Sequence, residues 1–321
     1  MNIIKILLLF PLKAYYFTIG KLLNEDDRIS MRLLDYFPTY RSAFVESVNQ
    51  LRRILSSATS CDVQGIVVEP TNFCNLRCRH CTTQRSVREK KGYMDPRFFN
   101  KIIDENPQLT CIILTRNGEP LMHPRIFEMI KYARDRNIYV TLFTNGVLLE
   151  DDAVLNNLFK SSLNEINFSM EGVGNFYEHN RGVAYDRLSK VIKKVLRERQ
   201  DRRSGLKIGI NSVIADDPAQ AKNVKKEWNG KVDHVTIEPL MGRKGILRRN
   251  PCRTLWRNIV ITWDGEALPC CADMGRKLHL GNVREKPLRQ IFNGPSVRKI
   301  RSAHLKRDFP EICRYCDPYF G

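Results

Sequence analysis

Acid is scarce in this chain. Its 35 Asp and Glu stand against 53 Lys and Arg, a formal net charge of +18. The shortage is sharpest over residues 241–321, with 17 Lys and Arg but 7 Asp and Glu, and Arg243 to Arg257 carries six basic residues and no acid. Such a field draws phosphates, nucleic acid or an anionic membrane surface, or is a soluble basic surface without a partner. No basic–aromatic platform or recognition-helix pattern accompanies the charge, so nucleic acid is not expected as a partner. Also missing is the stretch of about 20 apolar residues, free of central charge, that a spanning helix needs. Residues 1–24 come nearest, but Lys5, Lys13 and Lys21 interrupt the apolar run and Pro11 would kink a helix. There is no secretory signal with an A-x-A type cleavage site; its charges would precede the apolar run, not lie inside it. Nor is the composition that of a disordered chain, with 42% hydrophobic and 27% charged residues.

What residues 1–24 do fit is an interfacial helix, with lysines reaching headgroups while Ile, Leu, Phe and Tyr enter the boundary. A helix docked on the protein's own surface is the alternative. The chain is expected in the cytoplasm, peripheral on the inner membrane face if the interfacial reading holds. Residues 25–60 read as helical, with apolar spacing of three and four from Phe44 to Leu55. From Gly65 the pattern alternates. Candidate strands are 65–70, 111–115, 140–144, 165–169, 207–211 and 234–238. Helical stretches lie between, near 95–105, 125–136, 151–160, 185–199 and 218–228. Strands separated by helix-length segments imply βαβ units on a parallel sheet. Function in such barrels sits at the C-terminal ends of the strands.

The ten cysteines fall mostly in short spacings, which favours metal or catalytic use in a reducing compartment over disulfides. Cys74, Cys78 and Cys81 form C-x3-C-x2-C directly after the first strand. Thiolates so close converge on one soft metal centre, an iron–sulfur cluster or zinc. Three thiolates on a 4Fe–4S cube leave one iron open to a ligand.

The stretch Glu69-Pro70-Thr71-Asn72-Phe73-Cys74-Asn75-Leu76-Arg77-Cys78, with Cys81, resembles the cluster loop of the radical S-adenosylmethionine (SAM) superfamily. The resemblance implies a 4Fe–4S cluster whose open iron chelates SAM and reductively splits it to a 5′-deoxyadenosyl radical. It also implies the superfamily's fold, an α/β partial (β/α)6 TIM-like barrel. Arg116-Asn117-Gly118-Glu119-Pro120 is similar to the family's "GGEP" turn, which binds the amino end of SAM; Asn117 stands where the first glycine is usual. Asn145 ends the third strand, Ser169 and Glu171 the fourth, in Ser-Met-Glu-Gly, and Asn211 the fifth. The resemblance makes Asn117, Gly118, Glu119, Asn145, Ser169, Glu171 and Asn211 SAM contacts. Read singly, several are ordinary turn formers. His179 and Arg181 touch substrate or SAM, or belong to a polar loop.

Cys252, Cys270, Cys313 and Cys316 look like the C-terminal extension of the SPASM/twitch subgroup, in its version with one auxiliary 4Fe–4S cluster. A hairpin near 259–269 and a short helix near 288–293 would surround it. Four thiolates leave no vacant iron, so such a cluster relays electrons or serves structure; a four-cysteine zinc site is the alternative. Cys271 stands in for Cys270, returns a hydrogen atom to a substrate radical as an epimerase requires, or only packs. Cys111 reads as core and Cys61 precedes the barrel.

The domains expected are 1–60, a helical extension, 61–245, the barrel, and 246–321, the auxiliary-cluster domain. The resemblance implies two 4Fe–4S clusters, SAM, and an electron donor such as flavodoxin or ferredoxin. The substrate expected is a polar, anionic or lipid-linked sugar-type molecule that is oxidised or epimerised. Two alternatives stand beside it: a peptide maturase of the same superfamily, and a zinc-stabilised nucleic-acid-binding protein.

Overall fold

The computed structural model describes residues 62–81, 90–214, 217–239, 248, 250–314 and 316. The expected extension over 1–60, its interfacial segment and Cys61 lie outside the described residues, as does part of the basic run from Arg243. Six strands follow one another: β1 (Gly65–Val68), β2 (Cys111–Leu114), β3 (Tyr139–Thr144), β4 (Glu165–Ser169), β5 (Lys207–Ile214) and β6 (His234–Pro239). Each lies parallel to the next. The helices between are α1 (Pro96–Asp104), α2 (Ile126–Arg134), α3 (Asp152–Lys160), α4 (Gly174–Arg181), α5 (Tyr185–Asp201) and α6 (Pro218–Trp228). This is the partial (β/α)6 barrel.

The strands are short aliphatic runs, as befits a parallel sheet covered by helices. Ile66, Val68, Ile112, Leu114, Val140 and Leu142 enter one continuous core. The helices start where Asp and Pro say they should. Asp95 Oδ1 accepts from Arg97 N at 2.8 Å ahead of Pro96, and Asp217 Oδ1 accepts from Ala219 N at 2.9 Å ahead of Pro218. Each such cap contributes about 1 kcal/mol. In α1, Phe98, Phe99, Ile102 and Ile103 are buried; their spacing of three and four puts them on one face.

The C-terminal part is not a separate layer. Its first strand, β7 (Asn258–Ile261), lies parallel beside β1, with Ile66 opposite Ile259. Antiparallel β8 (Glu266–Leu268) and β9 (Gly281–Asn282) follow. The result is one nine-stranded sheet among the described residues, in the order β6-β5-β4-β3-β2-β1-β7-β8-β9. The expected hairpin forms, but the sequence carries no sign that its first strand extends the barrel sheet. Three helices complete the region: α7 (Leu288–Phe292), α8 (Pro295–Leu305) and α9 (Glu311–Arg314). The stretch Tyr177–Gly182, open to reading as a polar loop, lies mostly in α4. That helix buries only Tyr177 and Asn180, so its sequence has almost no apolar face to betray it. No helix of the described residues is long and apolar enough to cross a membrane.

Candidate active site and cluster-binding centres

The loop after β1 is pegged by its own side chains. Thr71 Oγ1 donates to Gly92 O at 2.7 Å and accepts from Phe73 N at 3.1 Å. Asn72 Nδ2 donates to Lys90 O at 2.9 Å, while its Oδ1 accepts from Gly92 N at 2.9 Å. Phe73 stacks on Tyr93, ring centres 4.8 Å apart. So held, the loop brings Cys74, Cys78 and Cys81, none of them in a disulfide, to a cavity of about 300 Å³ at the strands' C-terminal ends. Burial pushes the Cys74 thiol up to about 11. Burial also raises Cys78, against the pull of Arg181.

The turn after β2 locks onto this loop. Gly118 has φ +76°, and a Cβ there would lie 2.4 Å from Thr71 O and 2.6 Å from Phe73 O. Only glycine fits, and the close approach lets Glu119 N donate to Phe73 O at 2.7 Å. The Glu119 carboxylate is buried. Its Oε1 accepts from Thr144 Oγ1 at 2.8 Å and Leu121 N at 3.1 Å, and its Oε2 from Asn145 N at 2.7 Å. Burial pushes its pKa up against these bonds. Three donors fix the group, and a carboxylate with about four lone-pair positions keeps one for a ligand.

Gly118, Glu119, Asn145, Ser169 and Glu171 all line the cavity. Asn145 Nδ2 also donates to Asn75 Oδ1 of the cluster loop at 2.8 Å. Both oxygens of Glu171 accept from Arg181, whose Nη1 lies 3.7 Å from Cys78 Sγ. Burial works against the Arg181 charge, yet Glu171 pushes its pKa up. Arg181 thus brings a fixed cation to the edge of the cysteine cluster. Two expected residues are not brought to the cavity. Asn117 is buried behind it, its N donating to Glu69 Oε2 at 3.3 Å. Asn211 donates from Nδ2 to Glu238 Oε1 on the next strand at 3.0 Å, and Val213 of β5 lines the cavity instead.

Sequence reasoning missed Arg116. It lines the cavity and has φ 119°, a conformation that is strained for a residue with a side chain. Its Nη1 donates to Glu69 Oε2 at 2.8 Å, both side chains fully buried, and its Nη2 donates to Asp273 O at 2.8 Å. Burial drives the Glu69 pKa up while Arg116 draws it down. A carboxylate closing an apolar strand, Val-Val-Glu69, was the available signal: once buried it needs a cation.

Asp273 follows Cys270 and Cys271 closely, so this ion pair ties the SAM-side loops to the second cysteine set. Cys252, Cys270, Cys313 and Cys316 line one small cavity of about 20 Å³ together with Leu255, Ile300 and Ile312. Cys271 does not line it. Burial raises Cys313 to about 11 and pushes Cys270 and Cys271 up as well. Two further residues of this cavity were missed, Arg248 and His304. Burial, helped by the Arg248 charge, pushes His304 down to about 4. Thiolates suit iron–sulfur clusters and zinc alike. The donor sets, three thiols beside a larger cavity that also presents charged side chains and four around a small apolar one, fit two iron–sulfur clusters.

Residues 68–216 match the Radical SAM superfamily, and residues 252–317 match SPASM, an iron–sulfur cluster-binding domain. The chain is a radical SAM enzyme with a SPASM domain, using 4Fe–4S clusters and SAM. Among curated proteins it is 26% identical over 288 residues to the tungsten-containing aldehyde ferredoxin oxidoreductase cofactor-modifying protein of Pyrococcus furiosus, covering 71% of this chain and 80% of that one. It is 26% identical over 303 residues to the PqqA peptide cyclase of Granulibacter bethesdensis, covering 79% of each. Among solved structures, Streptococcus suis SuiB bound to S-adenosylmethionine superposes with a TM-score of 0.65 at 17% identity, covering 88% of this chain and 79% of that one. That likeness is one of fold.

Proposed function

We propose that this enzyme uses a SAM-derived radical to modify a peptide. The observation that carries this is the similarity to PqqA peptide cyclase, which extends over 79% of this chain and 79% of that one. It favours the peptide alternative over the sugar-type substrate expected at first. When bound, the cluster and SAM together supply a 5′-deoxyadenosyl radical at the cavity.

The chain's own residues supply the rest. Cys74, Cys78 and Cys81 hold the catalytic cluster. Glu119, fixed by Thr144, Asn145 and Leu121, takes the SAM ammonium at its remaining lone pair. Asn145 and Ser169 offer further polar contacts to SAM. Arg181, clamped by Glu171, offers a cation to its carboxylate. Asn117 and Asn211 act by bracing Glu69 and Glu238, not by touching SAM. Cys252, Cys270, Cys313 and Cys316 hold the auxiliary cluster. Cys271 stays outside that set, and a reaction that links residues needs no hydrogen-atom donor from it. The phenyl walls Phe143 and Phe176 help to exclude water from the cavity.

The test incubates the anaerobically reconstituted enzyme with SAM and reductant, once with precursor peptides encoded beside it and once with sugar nucleotides. Mass spectrometry should show loss of two hydrogen atoms per link in a peptide. Turnover of a sugar with every peptide unchanged would overturn the reading.

A further inference from the structure

The cavity shared by Cys252, Cys270, Cys313 and Cys316 is walled by aliphatic groups, with two exceptions. One is His304, in the last turn of α8, with no exposed surface. Its ring stands edge-on to Phe309, centres 5.0 Å apart. Its Nδ1 accepts from the backbone N–H of Cys252 at 3.2 Å. A ring nitrogen that accepts carries no proton, so the proton of the neutral ring is on Nε2. That Nε2 is buried and has no hydrogen-bond partner among the described residues. A buried, unpaired N–H is costly, and a phenyl or leucyl side chain would fill the place without that cost. The N–H therefore needs an acceptor that the described residues do not supply. The acceptors this cavity is built to receive are sulfurs, those of the four cysteines once ligated and those of the inorganic cluster between them.

We propose that His304 donates a hydrogen bond from Nε2 to a sulfur of the auxiliary cluster and thereby tunes its reduction potential. The proposal rests on the reading of the four cysteines as cluster ligands. Hydrogen bonds to cluster sulfurs disperse negative charge, and reduction adds more of it, so the bond stabilises the reduced cluster and raises the potential. Arg248, the second polar group of the cavity and itself buried, acts in the same direction through its charge. The tautomer is set by a cluster-ligand residue: the Cys252 backbone turns the ring so that its proton is on the nitrogen away from that backbone. His304 is a positioning and tuning residue, outside the substrate cavity, and its effect is on where an electron rests.

The test uses the full chain lacking the three N-terminal cluster cysteines, so that only the auxiliary cluster is observed. In that background His304→Leu should keep its iron and shift the cluster's midpoint potential to more negative values. His304→Gln, which keeps an N–H donor near the Nε2 position, should restore most of the shift. Equal potentials in His304→Leu and the parent, at equal iron content, would overturn the proposal. Should His304→Leu lose its cluster, pulsed electron paramagnetic resonance of the parent with isotope-labelled histidine decides. A weakly coupled histidine nitrogen on the reduced cluster supports the hydrogen bond. No coupling, or the strong coupling of a direct ligand, overturns it. Absence of iron from the parent itself would instead strike at the reading of the four cysteines.

Discussion

The two cysteine centres of this chain are built in opposite ways. Cys74, Cys78 and Cys81 come from one short loop and stand at an open cavity of about 300 Å³ that also presents Glu119, Arg181 and Glu171. Cys252, Cys270, Cys313 and Cys316 come from three separate segments and close around about 20 Å³ of apolar space. A centre that must hold a charged sulfonium amino acid needs an entrance and fixed opposite charges. A centre whose four thiolates leave no vacant iron needs burial and firm ligation. The two are bolted together by one buried pair, Arg116 and Glu69, whose guanidinium also grips Asp273 in the second centre's loop.

The comparison breaks most completely at the open centre. Replacing Cys74, Cys78 and Cys81 by Ala should abolish cleavage of SAM to 5′-deoxyadenosine and remove one cluster's worth of iron; full cleavage would refute the assignment. Next in size is the bolt. Arg116→Met leaves the buried Glu69 carboxylate with only the more distant Arg276, 3.9 Å away, and the Asn117 N–H, which should cost up to about 3 kcal/mol of stability. Adding Glu69→Gln should recover a large part, and a denaturant series of both variants would show whether the pair behaves as one unit. Smaller is Glu119→Gln, which keeps shape and removes charge. It should weaken SAM binding by about 1.5–3 kcal/mol, roughly a ten- to hundredfold rise in Kd by calorimetry; unchanged affinity would end its role. The effect smallest for the chemistry concerns residues 1–24. With Lys5, Lys13 and Lys21 contributing about 1 kcal/mol each near an anionic surface, the full chain should float with anionic liposomes at low salt. A chain starting near residue 25 should float much less. Equal behaviour would remove the membrane reading and leave the chemistry untouched.

Much of this was legible beforehand because strand–helix alternation and short cysteine spacings are local signals. Glu165–Ser169 and Pro218–Trp228 fell where periodicity put them. Gly118 could be named because its motif sits one strand after the cluster loop. What the sequence hid was non-local. The pairing of β7 with β1 joins residues nearly two hundred positions apart. The resemblance makes Asn211 a SAM contact, but the hydrogen bond from its amide to Glu238 on the neighbouring strand has no local signal. Arg116 sits in a backbone conformation that favours glycine, and no local rule expects an arginine there. His304 lies in a helix whose burial pattern appears only once α8 packs on Leu255 and Trp256.

The most direct measurement of the division of labour is made on Cys313→Ala/Cys316→Ala. Iron and SAM cleavage are assayed in the same sample. The double variant should lose about half the iron, as expected when one of two cubes of like size goes, and should keep reductive cleavage of SAM while losing substrate turnover. Iron left whole, or SAM cleavage lost with the first three cysteines intact and loaded, would contradict that division.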